Sequence, residues 1–227
     1  MQGFDRRTMI KAGLALPLLA SPLLAGCAAG PGGFNLTEAI RRLLTLSSQR
    51  AFALLLQPNG FYDSQVARIE LPQQLASGGG LLRQLLTTQA VRERLARSLN
   101  SAAERGAERA APVITQAISS ITVADAMTVL RGGPSAATAL LEQQLAGGLV
   151  NQMFPAVGDA LRIASDDVVA RALRAATGYD VAALARDVSD SANRGIWRAI
   201  AAEEANIRAN PQATNDPLLI AVLALAR

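Results

Sequence analysis

Histidine is absent from the 227 residues, cysteine occurs once, at Cys27, and Lys11 is the only lysine. These shortages exclude whole classes of chemistry. Without histidine or a second thiol there is no zinc, haem or iron–sulfur site of the usual kinds. Serine–histidine and cysteine–histidine nucleophile pairs are excluded too, as is an internal disulfide. No cofactor or metal is therefore expected. Aromatic residues make up only 4% of the chain, so the core must be built from Leu, Ala, Val and Ile. Helices packed closely through alanine faces suit that composition better than a sheet does. Few rings are available to stack bases, and nucleic acid is not an expected partner. Nor is there a large excess of one charge: the formal +4 falls to +2 once residues 1–26, carrying Arg6, Arg7, Lys11 and Asp5, are set aside.

What is present begins with a leader. Arg6-Arg7 precede a mildly apolar run and Lys11 follows them, the order of a bacterial twin-arginine export signal. Met9-Ile10 only approximates the usual Phe-Leu, so the general secretory route stays open. The run from Ala12 to Gly26 contains Gly13, Pro17 and Pro22 and is shorter than the ~20 residues that span a bilayer. It ends in Leu24-Ala25-Gly26-Cys27, which resembles a lipoprotein box, in which small residues admit the peptidase and the thiol accepts a diacylglycerol. The plainer alternatives are an N-terminal helix with an incidental cysteine and a secretory signal cut elsewhere. Ala28 after the cysteine, in place of aspartate, points in a Gram-negative cell to the periplasmic face of the outer membrane. The expected organisation is a signal peptide over 1–26, a lipidated cysteine and flexible tether over 27–35, and one helical domain over 36–227. Gly30, Pro31, Gly32 and Gly33 make the tether.

Past the tether the periodicity is helical. Thr37 can cap a helix to about Leu56 with Ile40, Leu43, Leu44, Ala51, Leu54 and Leu55 on one side, ended by Pro58-Asn59-Gly60. Residues 66–71 alternate like an edge strand, the only such stretch in the chain. Gly78-Gly79-Gly80 lacks the Lys-Ser/Thr of a phosphate loop and is read as a turn. Thr88 to Ala110 is a helix whose arginine-rich outer face is mixed with glutamates and suits solvent. Pro112 is expected to start a separate short helix. Thr122 to Asp125 reads as a capping-box variant, with Thr122 accepting from the third helical amide. After Gly132-Gly133 a helix from Ser135 carries Leu141, Leu145, Leu149 and Met153 until Pro155 breaks it. Further helices are expected over 165–176 and from Val181 onward, the latter ending at Asn210-Pro211. Leu218 to Ala226 is apolar but too short to cross a membrane, and is expected to dock on the core.

Several blocks together resemble one bacterial family, the domain of unknown function 4197. They are Pro58-Asn59-Gly60-Phe61 with residues 66–72; Ile121-Thr122-Val123-Ala124-Asp125-Ala126 with Leu130-Arg131-Gly132-Gly133 and Ala136-Ala137-Thr138; and Gly195-Ile196-Trp197 with the run from Ala202 to Pro211. The likeness covers about residues 34–223. It implies an exported, often lipoprotein-type helical protein without an assigned activity, so no catalytic residue carries over. The chain departs from the pattern at Trp197 and Arg198 and in its more apolar tail.

The fold class expected is thus all-α, a single multi-helix domain with at most one short extended segment near 66–71. Two functional classes compete. One is a lipid-anchored periplasmic domain that binds an envelope protein or an apolar ligand, or is purely structural. The other is a carboxylate-dependent hydrolase, which would need acidic groups facing one pocket, drawn from Asp125, Asp187, Asp190, Glu203 and Glu204. Asp125, Glu203, Glu204 and Arg208 form the best candidate polar cluster. Against chemistry there, Asp125 has a capping role, adjacent Glu203 and Glu204 diverge by about 100 degrees on a helix, and Glu204 is spaced to pair with Arg208.

Overall fold

A helix begins at Leu36 because Asn35 supplies its cap: the Asn35 Oδ1 accepts from the Glu38 amide at 3.0 Å. The computed structural model describes residues 35–71, 87–145, 147–163 and 181–226. The first helix, α1 (Leu36–Leu55), is therefore capped two residues earlier than Thr37 would allow. Ala39, Ile40, Leu43, Leu44, Ala51 and Leu55 form its buried stripe, each large aliphatic among them contributing about 1.5–3 kcal/mol by leaving water. Ser47 and Ser48 also face inward, and their hydroxyls donate back to the Leu43 and Leu44 carbonyls, which removes the cost of burying them.

The chain reverses at Asn59, which adopts the left-handed conformation at φ 63°. Gly60 follows because a Cβ there would lie 2.4 Å from the Leu54 carbonyl oxygen. A single turn, α2 (Gly60–Asp63), comes next, then an irregular segment to Leu71. The alternation over residues 66–71 does not make a strand. Its backbone groups are taken by side chains instead: Ser64 Oγ accepts from the Val66 and Ala67 amides, and Asn100 brackets Ile69.

α3 (Gln89–Ser120) runs straight through Pro112, where a new helix was expected. A proline inside a helix costs about 3 kcal/mol. Burial on both sides of it, at Ala103, Ala107 and Ala110 before and Ile114 and Ile118 after, offsets that cost. α4 (Ala126–Arg131) is capped by Asp125 itself, which accepts from the Thr128 amide, so Thr122 has no capping role. α5 (Ala136–Leu145) and α6 (Gly148–Ile163) are two helices, not one: the chain turns at Gly147 with φ 75°. Pro155 lies inside α6 and does not break it. α7 (Val181–Ala209), a 3-10 turn (Pro211–Thr214) and α8 (Pro217–Leu225) complete the described chain.

α1, α3, α6 and α7 pack on one another as the core, with α3 against α6 the most extensive pair. Small residues allow the close approach. A Cβ on Gly106 of α3 would stand 2.7 Å from Val157 Cγ2 of α6. On α7, a Cβ on Gly195 would stand 3.0 Å from the Ala67 carbonyl oxygen, so this glycine seats the irregular segment. α8 docks on α1 and the 3-10 turn through Leu219, Val222 and Leu223, as expected of the apolar tail. Among the described residues there is no strand, and no helix is long and apolar enough to cross a membrane. Arg6, Arg7, Lys11, Cys27, the glycine turn at 78–80 and the helix expected over 165–176 lie outside the described residues.

Candidate functional site

The polar cluster read from the sequence divides into a clamp and two bystanders. Glu204 is fully buried on the inner side of α7. Its Oε1 accepts from the Ala137 amide at 3.1 Å and from Arg208 Nε at 2.7 Å. Its Oε2 accepts from the Thr138 amide and the Thr138 hydroxyl, both at 2.7 Å. The carboxylate thus caps the start of α5, where free amides and the helix dipole favour a negative charge. Arg208 spends its other nitrogens on the end of α4, donating to the Leu130 carbonyl at 2.7 Å and the Val129 carbonyl at 3.2 Å. One ion pair on α7 therefore ties together the helix ends on either side of Gly132-Gly133.

Asp125 sits at the opposite end of the six-residue α4. It accepts from the Thr128 hydroxyl at 2.6 Å and the Thr128 amide at 3.0 Å, and those bonds hold its carboxyl below the usual aspartate range. Glu203 is half-buried and, among the described residues, accepts only from Asn206 Nδ2, at 3.5 Å. Asp187 and Asp190 are half-buried and lie towards the start of α7. The candidate acids do not converge, and among the described residues no three His, Cys, Asp or Glu side chains are grouped to hold a metal. Thr138 is the partner sequence reasoning missed; its place in the Ala136-Ala137-Thr138 block was the available signal.

A second polar region escaped the sequence reading. Asn100, fully buried on α3, accepts from the Ile69 amide at 2.8 Å and donates to the Ile69 carbonyl at 2.9 Å and the Ala96 carbonyl at 2.8 Å. It holds the irregular segment as a neighbouring strand would. Beside it, Arg68 Cζ lies 4.1 Å and Arg97 Cζ 4.2 Å from the centre of the Tyr62 ring. Both guanidiniums are within cation–π range of the one ring. Tyr62 and Arg68, but not Arg97, border an open polar cleft of about 450 Å³ lined also by Asp63, Ser64, Glu70 and Arg198 among others. Arg97 also reaches Asn59 Oδ1 at 3.5 Å instead of pairing with Glu93, which accepts from Gln89. Nearby, burial pushes the Glu104 carboxyl up, against the lowering effect of the Phe61 and Gly60 amides and Arg105.

A third feature is apolar. Between α1 and the C-terminal half of α3 runs a groove of about 440 Å³, floored by Phe52 and Ile118 and edged by Ala53, Leu56, Ala111 and Thr115. Leu56 is 40% exposed at its rim.

No curated protein and no solved structure matches the chain. A family model does, the one described as a protein of unknown function (DUF4197), over residues 32–224. That span takes in the clamp, the braced segment and the groove alike, and the blocks that carried the resemblance supply the parts of the first two: Gly60, residues 66–71 and Gly195 for the segment, Thr138, Glu204 and Arg208 for the clamp. The chain belongs to the DUF4197 family.

Proposed function

We propose that this is an exported, lipid-anchored helical domain that works on the periplasmic side of the envelope by binding an apolar ligand between α1 and α3. The groove of about 440 Å³ carries the reading. Its volume falls within the ~300–1,000 Å³ of small-molecule sites, and its lining offers apolar contact with a few hydroxyls and amides at the edge. A site of that size suits an acyl or similarly slender chain better than a protein, whose stable interfaces bury about 1,200–2,000 Å². The hydrolase alternative loses its support, because Glu204 has its lone pairs committed to α5 and Arg208 and the remaining acids are dispersed. The leader and Cys27 support the location.

The test uses the full chain with N-phenyl-1-naphthylamine, a neutral dye that brightens in apolar sites. Saturable brightening that Thr115→Trp abolishes is expected, since an exposed Thr115 lines the groove and an indole there would fill it. Brightening indifferent to Thr115→Trp overturns the groove. If crosslinking on membranes instead captures an envelope protein through Leu56, the occupant is a protein and the ligand reading fails. For the anchor, Cys27→Ser should end incorporation of labelled fatty acid in growing cells; continued labelling sinks it.

A further inference from the structure

Two glutamates in this fold face the start of one helix from another, and they are not equally served. Glu204 meets the first amides of α5 with four donors on its two oxygens. Glu104, half-buried on α3, faces the start of α2, where the Gly60 and Phe61 amides act on it. α2 needs a partner from outside, because Asn59 is left-handed and its side chain makes no capping bond. Glu104 fills that place incompletely: its Oε1 is buried and has no hydrogen-bond partner. An oxygen so placed has lost its water and gained no donor, a cost that falls chiefly on the charged form.

The surrounding charges do not remove that cost. Arg105, the next residue on α3, favours the carboxylate but is exposed and commits Nη1 to Glu108 at 3.0 Å. Asp63, on α2, opposes it. Arg97, two turns earlier on α3, reaches Asn59 Oδ1 and the Tyr62 ring, and residues 51–59, which lead into α2, carry no charged side chain. Burial outweighs the amides and Arg105, so the Glu104 carboxyl titrates above its ordinary value. With the folded value raised, the penalty is fully present well above it and fades as the pH falls through it towards the unfolded value of ~4.3. Asp125 and Asp216 are held below their ordinary values. They titrate in a lower window and with the opposite sign.

We infer that Glu104 is a pH-sensitive latch between α3 and α2, loose while ionised and seated once protonated. α2 joins Leu56 and Gln57, on the rim of the apolar groove, to the irregular segment bracketed by Asn100. The latch therefore acts on the connection between those two regions, whatever the groove holds.

Urea unfolding of the full chain from neutral pH down to about pH 4 tests this. The signal is the fluorescence of Trp197, the only tryptophan and a buried one, and the comparison is with Glu104→Gln, which fixes the uncharged form in nearly the same shape. The variant is expected to have the higher midpoint at neutral pH at unchanged slope, and the gap should narrow steadily as the pH falls. Glu108→Gln, one turn along and exposed, should keep the wild-type dependence on pH. Amide exchange locates the effect. The Gly60 and Asp63 amides donate to the Gln57 and Asn59 carbonyls, and their protection factors, taken relative to an amide of α7, should rise in mild acid in the wild type and stay level in Glu104→Gln. A variant less stable than the wild type at neutral pH overturns the proposal, as does a gap that stays constant with pH. Wild-type protection at α2 that does not change with pH overturns it without recourse to any variant.

Discussion

The Glu204–Arg208 clamp and the Tyr62–Arg68–Arg198 cleft are assembled from the same kinds of side chain, arginine and carboxylate, on opposite terms. In the clamp the carboxylate is fully buried, and its two oxygens take four donors between them. In the cleft Glu70 is almost wholly in solvent and Arg198 has no protein partner among the described residues. Charge by itself therefore says little about use. A charged group whose bonds are spent inside the protein organises the fold, whereas one left unspent over a rigid floor is available to something else. That distinction moves attention away from the acids the sequence singled out and towards Arg68, read only as part of an alternating stretch, and Arg198, read only as a departure from the family pattern.

The comparison is broken most severely at the clamp. Arg208→Leu would leave Glu204 charged and buried with its ion-pair partner gone, and the expected loss is about 3–5 kcal/mol, read as a lower urea midpoint at unchanged slope. Replacing both partners by a shape-matched apolar pair should cost less than either single change, and a double-mutant cycle measures the difference. A clamp variant that lost no stability would mean the pair is not structural, and would restore Glu204 as a candidate for chemistry.

A smaller effect is expected where the floor of the cleft is held. Asn100→Leu strands the buried Ile69 amide and carbonyl, a loss of about 1–3 kcal/mol. Because it frees the segment carrying Arg68, it should also speed amide exchange at Ile69, which Arg208→Leu should not do in the fraction that remains folded. Equal effects of the two variants on exchange at Ile69 would erase the division between clamp and cleft.

The smallest change concerns a surface carboxylate of the clamp's own kind. Asp216 caps α8 by accepting from the Leu218 and Leu219 amides and meets Arg42 at 3.2 Å. Burial raises its pKa, but the Leu219 amide and Arg42 outweigh it and hold the carboxyl below its ordinary value. A depressed folded pKa means the stabilisation is present above the unfolded value of ~3.9 and is lost as the pH falls through the folded one. Asp216→Ala should therefore cost about 1 kcal/mol at neutral pH, shrinking towards nothing in acid. A cost independent of pH would show that the cap acts through shape and not charge.

Much of the helical order could be read from the chain because its causes are local. Gly132-Gly133, Pro58-Asn59-Gly60 and Asn210-Pro211 stop helices wherever they occur, and the apolar stripes of α1 and α7 repeat at helical spacing. The errors share one cause. Pro112 and Pro155 read as breaks because propensity is a local quantity, while the burial that carries α3 and α6 through them comes from neighbours distant in sequence. The alternation at 66–71 suggested a strand, but there is no strand among the described residues to pair with it, and Asn100 supplies backbone partners for Ile69 from 31 positions away.

By itself the sequence determined the all-α class, the lack of histidine and of a second cysteine, and the Glu204–Arg208 spacing. Each of these depends on residue type or on separations within one helix. Only the tertiary structure decided that Glu204 would be buried against the first amides of α5, that Tyr62 would meet two arginines, and that Arg198 would face a cleft without a partner among the described residues. Those outcomes depend on which helices approach closely enough to exclude water, and small residues such as Gly106 and Gly195 set that distance from positions where no side chain announces it.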